Sequence, residues 1–340
     1  MKENGSMSEN VCTRRKFLGL MAAFLPGISL LKEAGAAMAG ETKNPAGTGE
    51  VPPDQPSIGV ALGAGGANGL AHILMLETLD EMGIRVARIA GSSIGAIVGS
   101  LYAAGMSGKE IRDLVARFVL SDQDESLSRF FDGRALEWIN FVEIELGNGG
   151  LVSADGFLAF MSETLKKKAF EELIIPMHIV AADLWNREQV VLASGDLMSA
   201  IKASMAIPGV FEPVRRDGRV LIDGGTCNPV PYDLLIDQCD IVIGIDVTGE
   251  RTQTASGVPG YFETVFNSVK VMQASIMNEK RRHREPHIYI SVPVVDIRAL
   301  EFYRAQEVFE QSRQAKEVLK QQLKKAMAQW EQKSDSRGQR

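Results

Sequence analysis

Gly91-Ser92-Ser93-Ile94-Gly95 is a G-x-S-x-G pentapeptide set between two stretches of different periodicity. Ahead of it, Ile84-Arg85-Val86-Ala87-Arg88-Ile89-Ala90 alternates apolar and polar residues like a short strand. Behind it, Ala96-Ile97-Val98-Gly99-Ser100-Leu101-Tyr102-Ala103-Ala104 reads as a buried helix. A serine forced into a tight strand-to-helix turn projects its hydroxyl beyond the sheet, and the crowded backbone there needs small neighbours. An isolated G-x-S-x-G is also an ordinary Gly/Ser loop, so its meaning depends on what accompanies it.

What accompanies it is a run of strand–helix alternations. Strands are expected at Ile58–Leu62, Val86–Ala90, Met177–Ala182, Gln189–Ala193, Val220–Ile222, Asp240–Val247 and His287–Val292. Helices are expected at Leu70–Met82, Ser93–Ala104, Gly108–Phe118, Ala154–Lys168, Leu197–Met205, Tyr261–Arg284 and Leu300–Gln332. Continuous apolar strands such as Ile241-Val242-Ile243-Gly244-Ile245 suit a parallel sheet covered on both faces. The pattern predicts a three-layer α/β/α domain with a mostly parallel central sheet. Residues 119–150 show no clear period and read as a cap or insertion. The last helix, amphipathic through Phe302, Phe309, Val318, Leu319, Leu323, Met327 and Trp330, is expected to pack on the domain or on a partner helix.

At 340 residues the chain buries a sizeable core, and its formal net charge of -6 argues against nucleic acid as a partner. Three cysteines without a C-x-x-C give no zinc or thioredoxin-like pattern. The N-terminus carries an address instead. Thr13-Arg14-Arg15-Lys16-Phe17-Leu18-Gly19 is close to the twin-arginine export consensus, followed by an apolar stretch to Leu31 and by Ala37-Met38-Ala39, a small-x-small cleavage site. The expected organisation is a signal peptide over 1–39, cleaved after Ala39, and a Pro/Gly-rich linker over 40–56. A catalytic domain over 57–296 and a C-terminal helix and tail over 297–340 complete it. Such a protein would be exported, to the periplasm or another extracytoplasmic space.

Two further stretches bear on chemistry. In Val60-Ala61-Leu62-Gly63-Ala64-Gly65-Gly66-Ala67-Asn68-Gly69-Leu70-Ala71-His72 a strand enters a glycine-rich turn and then a helix. Unpaired N–H groups at such a turn make an anion site, for a phosphate or for the oxyanion of acyl transfer. A dinucleotide fingerprint would need glycine where Asn68 stands, so that pattern fails. In Arg219-Val220-Leu221-Ile222-Asp223-Gly224-Gly225 a carboxylate leaves a strand straight into glycines, at the kind of strand end where sites gather. Asp223 as a general base would have to reach the Ser93 hydroxyl directly or through one water.

These three stretches, in this order, resemble the patatin-like phospholipase family. The likeness runs from about Ile58 to Val292 and includes Ala71-His72, Ala203-Ser204-Met205-Ala206-Ile207-Pro208-Gly209-Val210-Phe211-Glu212-Pro213 and Ala181-Ala182-Asp183-Leu184. The resemblance implies a patatin-like fold and a serine acyl hydrolase acting on lipid esters through a Ser93–Asp223 dyad. Ser93 would be the nucleophile and Asp223 its proton acceptor, with the N–H groups of Gly65 and Gly66 as the oxyanion hole and no metal or organic cofactor. Two positions depart from the family pattern. Ala64 replaces a glycine, and Asn68 replaces a basic residue that would help hold an anionic head group, which favours a neutral ester or a lysolipid.

Rival readings remain at this stage. A fold that keeps only lipid or partner binding is one. A Ser–Asp–His triad using His283 or His287 fits the chain order of α/β-hydrolases, although His283 sits at a charged helix end and His287 opens a strand. His72 is expected to support the glycine-rich loop or to pack on the helix, and His178 to lie in the core. The basic run Lys280 to Arg284 reads as a solvated helix end, with peripheral contact to an anionic membrane as the alternative. In the second case Tyr261, Phe262 and Phe266 would join it at the mouth of an acyl pocket.

Overall fold

The computed structural model describes residues 55–120, 155–252 and 260–338. The signal-peptide expectation lies outside the described residues, as do all but the last two residues of the expected linker and nearly all of the expected insertion at 119–150.

Eight strands form one sheet: β1 (Ile58–Leu62), β2 (Val86–Ser92), β3 (Met177–Asp183), β4 (Glu188–Leu192), β5 (Val214–Arg216), β6 (Arg219–Asp223), β7 (Ile241–Asp246) and β8 (Ile288–Ser291). Their order is β5-β6-β3-β2-β1-β7-β8, with β4 paired to β3 off that path. The β1–β2, β1–β7, β2–β3 and β7–β8 pairs are parallel; β3–β4, β3–β6 and β5–β6 are antiparallel. All seven expected strands form, within two residues at each end. The unexpected one is β5, whose three residues Val-Arg-Arg carry no readable alternation and are set by pairing with β6.

The helices are α1 (Ala71–Glu81), α2 (Ile94–Ala103), α3 (Gly108–Leu120), α4 (Asp155–Leu165), α5 (Leu197–Ser204), α6 (Tyr261–His283) and α7 (Ala305–Gly338). Why both faces of the sheet are covered follows from the two-residue period of its strands. Ile58, Val60 and Leu62 of β1 join one core with Ile73 and Leu76 of α1, Leu101 of α2 and Leu319 of α7. Ala61, Ala90 and Val242 point the other way, into a second core with Tyr232, Leu235 and Met277 of α6. The result is a mixed, mostly parallel sheet flanked by helices.

The last helix docks on its own chain. It begins later than its pattern suggests, after a 3₁₀ turn at Phe302–Arg304, and buries Val308, Phe309, Leu319 and Leu323. Lys316 bonds Glu81 at 2.8 Å and pairs with the buried Glu77 at 3.6 Å, while Lys320 pairs with Glu81 at 3.1 Å. These contacts clamp α7 to α1, the helix that leaves the glycine-rich turn. Among the described residues no helix is long and apolar enough to cross a membrane.

Candidate active site

Ser93 sits between β2 and α2 with φ 55° and ψ −122°, a conformation that side chains other than glycine rarely adopt. The turn closes because Gly95 has no Cβ: one built there would fall against the Leu62 carbonyl oxygen of the neighbouring strand. The Ser93 carbonyl then accepts from the N–H groups of Ala96 at 2.8 Å and Ile97 at 3.2 Å and opens α2. Its own N–H donates to Ser204 Oγ at 2.9 Å, and Ser204 Oγ donates to the Val180 carbonyl at 2.6 Å. Ser204 therefore ties the elbow to β3. Its role is not legible in the sequence, because nothing local says which way the last residue of α5 points.

Strand register explains how Asp223 arrives beside Ser93 across 130 residues of chain. Along one edge of β3, Val180 pairs with Ser92 of β2 and the next residue, Ala181, pairs with Asp223 of β6. The other edge is filled by β4, which pairs with Ile179 through Asp183. Two strands thus share one edge of β3 in tandem, and their C-terminal ends meet. At that meeting point Ser93 Oγ donates to Asp223 Oδ2 at 2.6 Å, and both residues are buried.

Asp223 is held on all sides. Gly225 N–H donates to its Oδ1 at 2.7 Å, its own N–H donates to the Ala206 carbonyl at 2.9 Å, and Gln273 of α6 donates to the Gly225 carbonyl at 3.1 Å. Burial raises its pKa from 3.8 to about 6, against the hydrogen bonds from Ser93 and Gly225, which favour the charged form.

The glycine-rich turn faces the same point. Gly63 N–H donates to the Ile245 carbonyl at 3.0 Å, Ala64 N–H to Pro229 at 2.8 Å, and Ala67 N–H to Ala299 at 2.8 Å. Among the described residues the N–H groups of Gly65 and Gly66 have no acceptor, and both glycines line a cavity of about 240 Å³ together with Ser93 and Asp223. Gly66 has φ 60°, and a Cβ on it would meet the Ala299 carbonyl, so no other residue fits that position unstrained. His72 is fully buried and pinned under the turn: its Nε2 lies 2.8 Å from the Gly63 carbonyl and donates to it. Burial lowers its pKa to about 4, so the ring is neutral and serves as the strut expected of it.

The rest of the cavity wall is largely apolar, with Ile207, Pro208, Phe266, Ile297 and Leu300 prominent. Its cations are Arg251, Lys270 and Arg298, three residues that sequence reasoning did not connect with the site. Asn68 does not line it. The side chain is buried, with Nδ2 donating to the Thr248 carbonyl at 3.1 Å. The expectation that position 68 decides how a head group is met is thereby corrected, since its amide turns away from the cavity.

The other candidates fall elsewhere. None of the four histidines lines the cavity. His283 is exposed and bonds Glu279 at 2.9 Å, and His287 Nδ1 accepts from Val242 N–H at 3.1 Å, so neither completes a triad with Ser93. His178, expected in the core, is half-buried, and burial lowers its pKa. The basic run is paired throughout. Lys280 bonds Asn228 at 2.6 Å and the Val230 carbonyl at 2.7 Å and pairs with Asp233, Arg281 pairs with Glu285, Arg282 with Glu279, and Arg284 with Asp237. Phe266 reaches the cavity without it. Cys227 and Cys239 are free thiols.

The family model for Patatin, described as patatin-like phospholipase, matches residues 60–236, from β1 through the Asp223 turn. An uncharacterized NTE family protein of Mycobacterium bovis is 34% identical over 201 residues, 59% of this chain and 51% of that protein. A lysophospholipase of Pyricularia oryzae is 28% identical over 193 residues, 56% of this chain and 12% of that protein. Among solved structures, VipD from Legionella pneumophila aligns with a TM-score of 0.41 at 15% identity, covering 78% of this chain and 67% of that one. The chain thus spans about half the length, or less, of these two curated relatives. The matched segment is more than half of the chain and holds the glycine-rich turn, the elbow, Ser204 and Asp223: the chain belongs to the patatin-like phospholipase family.

Proposed function

We propose that the chain is a serine acyl hydrolase that cleaves lipid carboxylic esters through Ser93 and Asp223. One observation carries this reading: the 2.6 Å hydrogen bond from the Ser93 hydroxyl to a buried carboxylate, made at the floor of a largely apolar cavity. Asp223 takes the hydroxyl proton as Oγ bonds to the ester carbonyl carbon. Negative charge then develops on the carbonyl oxygen, beside the idle N–H groups of Gly65 and Gly66, and each such donor contributes about 3 kcal/mol to the transition state. Collapse of the tetrahedral adduct expels the alcohol, which leaves with the proton held on Asp223. Water repeats the sequence on the acyl-serine and frees the fatty acid. A carboxylate with pKa about 6 is ionised at neutral pH yet basic enough to accept the proton in transit.

The cavity is small beside the ~300–1,000 Å³ of common ligand sites, which favours one acyl chain over two. The Pyricularia oryzae relative is named a lysophospholipase, and a single-chain lysolipid is the substrate class this reading prefers. Purified protein should release fatty acid from 1-lauroyl lysophospholipid and from 1-monolauroylglycerol, read by mass spectrometry. Absence of both products, and of p-nitrophenyl butyrate cleavage, would leave a binding protein of the same fold.

Export by the twin-arginine route is part of the proposal and rests on Arg14-Arg15 and the segment that follows. Cell fractionation should find a mature form starting at Gly40 outside the cytoplasm. Arg14→Lys with Arg15→Lys should leave the precursor inside, and normal export of that double variant would refute the route.

A further inference from the structure

The cavity holds three cations in unequal states. Arg251 is committed to Glu263 at 2.5 Å, and Arg298 pairs with Glu301 at 3.5 Å. Lys270 makes no hydrogen bond or ion pair among the described residues, although it is half-buried and lines the same cavity as Ser93 and Asp223. Its place on α6 is not incidental. Phe266, four residues before it, lines the cavity, and Gln273, three residues after it, bonds the Gly225 carbonyl. These spacings put all three residues on one helical face, with Lys270 about 5 Å along the axis, backbone to backbone, from the residue that buttresses the Asp223 turn.

An ammonium in an apolar wall is unfavourable unless something negative meets it. Burial lowers the Lys270 pKa, and the charge of Arg251 adds to this while Asp246 opposes it. Lys270 lines the cavity beside two carboxylates that are engaged elsewhere, Glu263 with Arg251 and Asp223 with Ser93.

We propose that Lys270 is the anion-binding residue of this cavity and sets its preference for lipids that bring a negatively charged oxygen to α6. The inference rests on the acyl-hydrolase reading for its biological meaning. It differs from the sequence expectation, which looked to position 68 for such a charge and found an amide. Two sources supply the same chemistry: a phosphodiester on the alcohol side of the substrate, or the carboxylate of the released fatty acid.

The test uses the full-length protein carrying Ser93→Ala, so that binding is read without turnover. Titrations below the micellar range would compare 1-lauroyl lysophosphatidylglycerol, 1-monolauroylglycerol and laurate. A charge-assisted hydrogen bond predicts that an anionic ligand binds about 10–100-fold tighter than monolauroylglycerol. In Lys270→Met that ratio should collapse to within about threefold of unity, and in Lys270→Arg most of it should return. Dependence on Lys270 for lysophosphatidylglycerol assigns the subsite to the substrate head group; dependence for laurate alone assigns it to the product acid. An unchanged ratio in Lys270→Met, or no anion preference with Lys270 present, overturns the proposal. Should Lys270→Met fold poorly, Lys270→Gln reads the same ratio. Failure of the hydrolase reading would show separately, as no turnover by the protein with Ser93 intact while the binding ratio persists.

Discussion

Asp223→Asn is expected to abolish ester hydrolysis and to make the protein more stable at pH 7. The loss in kcat should be about 10⁴-fold, because an amide cannot take the serine proton while the oxyanion donors and the binding cavity still assist. The gain in stability follows from the sign of the shift. Asp223 has a folded pKa of about 6 against 3.8 for an unperturbed carboxyl. Between those values the native state binds more protons than the unfolded one, so the ionised carboxylate opposes folding. That opposition is fully present above pH 6 and is relieved as the pH falls toward 3.8. At pH 7 it amounts to roughly 3 kcal/mol for a fully buried group, an order of magnitude that sets the scale of the gain. Asparagine keeps the geometry: its oxygen accepts from Gly225 N–H and its NH₂ donates to Ser93 Oγ, replacing the two bonds that Asp223 now makes. Urea unfolding at pH 7 and pH 5 checks this, since the wild type should gain on Asp223 as the pH drops and the variant should not. The same carboxylate predicts a kcat/KM that rises with pH through about 6 and shows no dependence on His283 or His287.

Ser93→Ala is expected to cost still more activity, about 10⁶-fold in kcat, because among the described residues no other hydroxyl bonds the Asp223 carboxylate. It also removes a hydrogen bond that favours the charged form of Asp223, so the carboxylate should titrate higher in the variant than in the wild type. The elbow itself is strained, with a non-glycine residue at φ 55°. Ser93→Gly should therefore be as inactive as Ser93→Ala but more stable by about 1 kcal/mol, as the strain of positive φ is released. Thermal unfolding of the two inactive variants side by side reads that difference. An alanine variant as stable as the glycine variant would mean that the backbone there is not strained.

Much of this is legible in the sequence. Continuous apolar strands and the βα alternation gave the sheet and its coverage, since burial on both faces writes itself into consecutive residues such as Ile241 to Ile245. The glycines marked both ends of the site, because Gly66 and Gly95 stand where a Cβ would strike a neighbouring carbonyl. What stayed hidden depended on direction across space. Three-residue β5 exists only because β6 pairs with it. Ser204 matters because α5 aims it between Ser93 and Val180. Asn68 and Lys270 stayed hidden for the same reason: a side chain's residue type says what it can do, while the fold places Asn68 on the Thr248 carbonyl and Lys270 among the residues that line the cavity. The basic run Lys280 to Arg284 looked like a surface charge patch, yet each of its cations from Lys280 to Arg282, and Arg284, has an acidic partner.

The central claim is that Ser93 is a nucleophile activated by Asp223, and covalent capture tests it most directly. Wild-type protein incubated with a fluorophosphonate should gain the mass of one phosphonyl group, and peptide mapping should place it on Ser93. Labelling should vanish in Ser93→Ala and slow by orders of magnitude in Asp223→Asn. A wild type that resists the probe, a label on another residue, or an Asp223→Asn variant that labels at the wild-type rate would contradict the account.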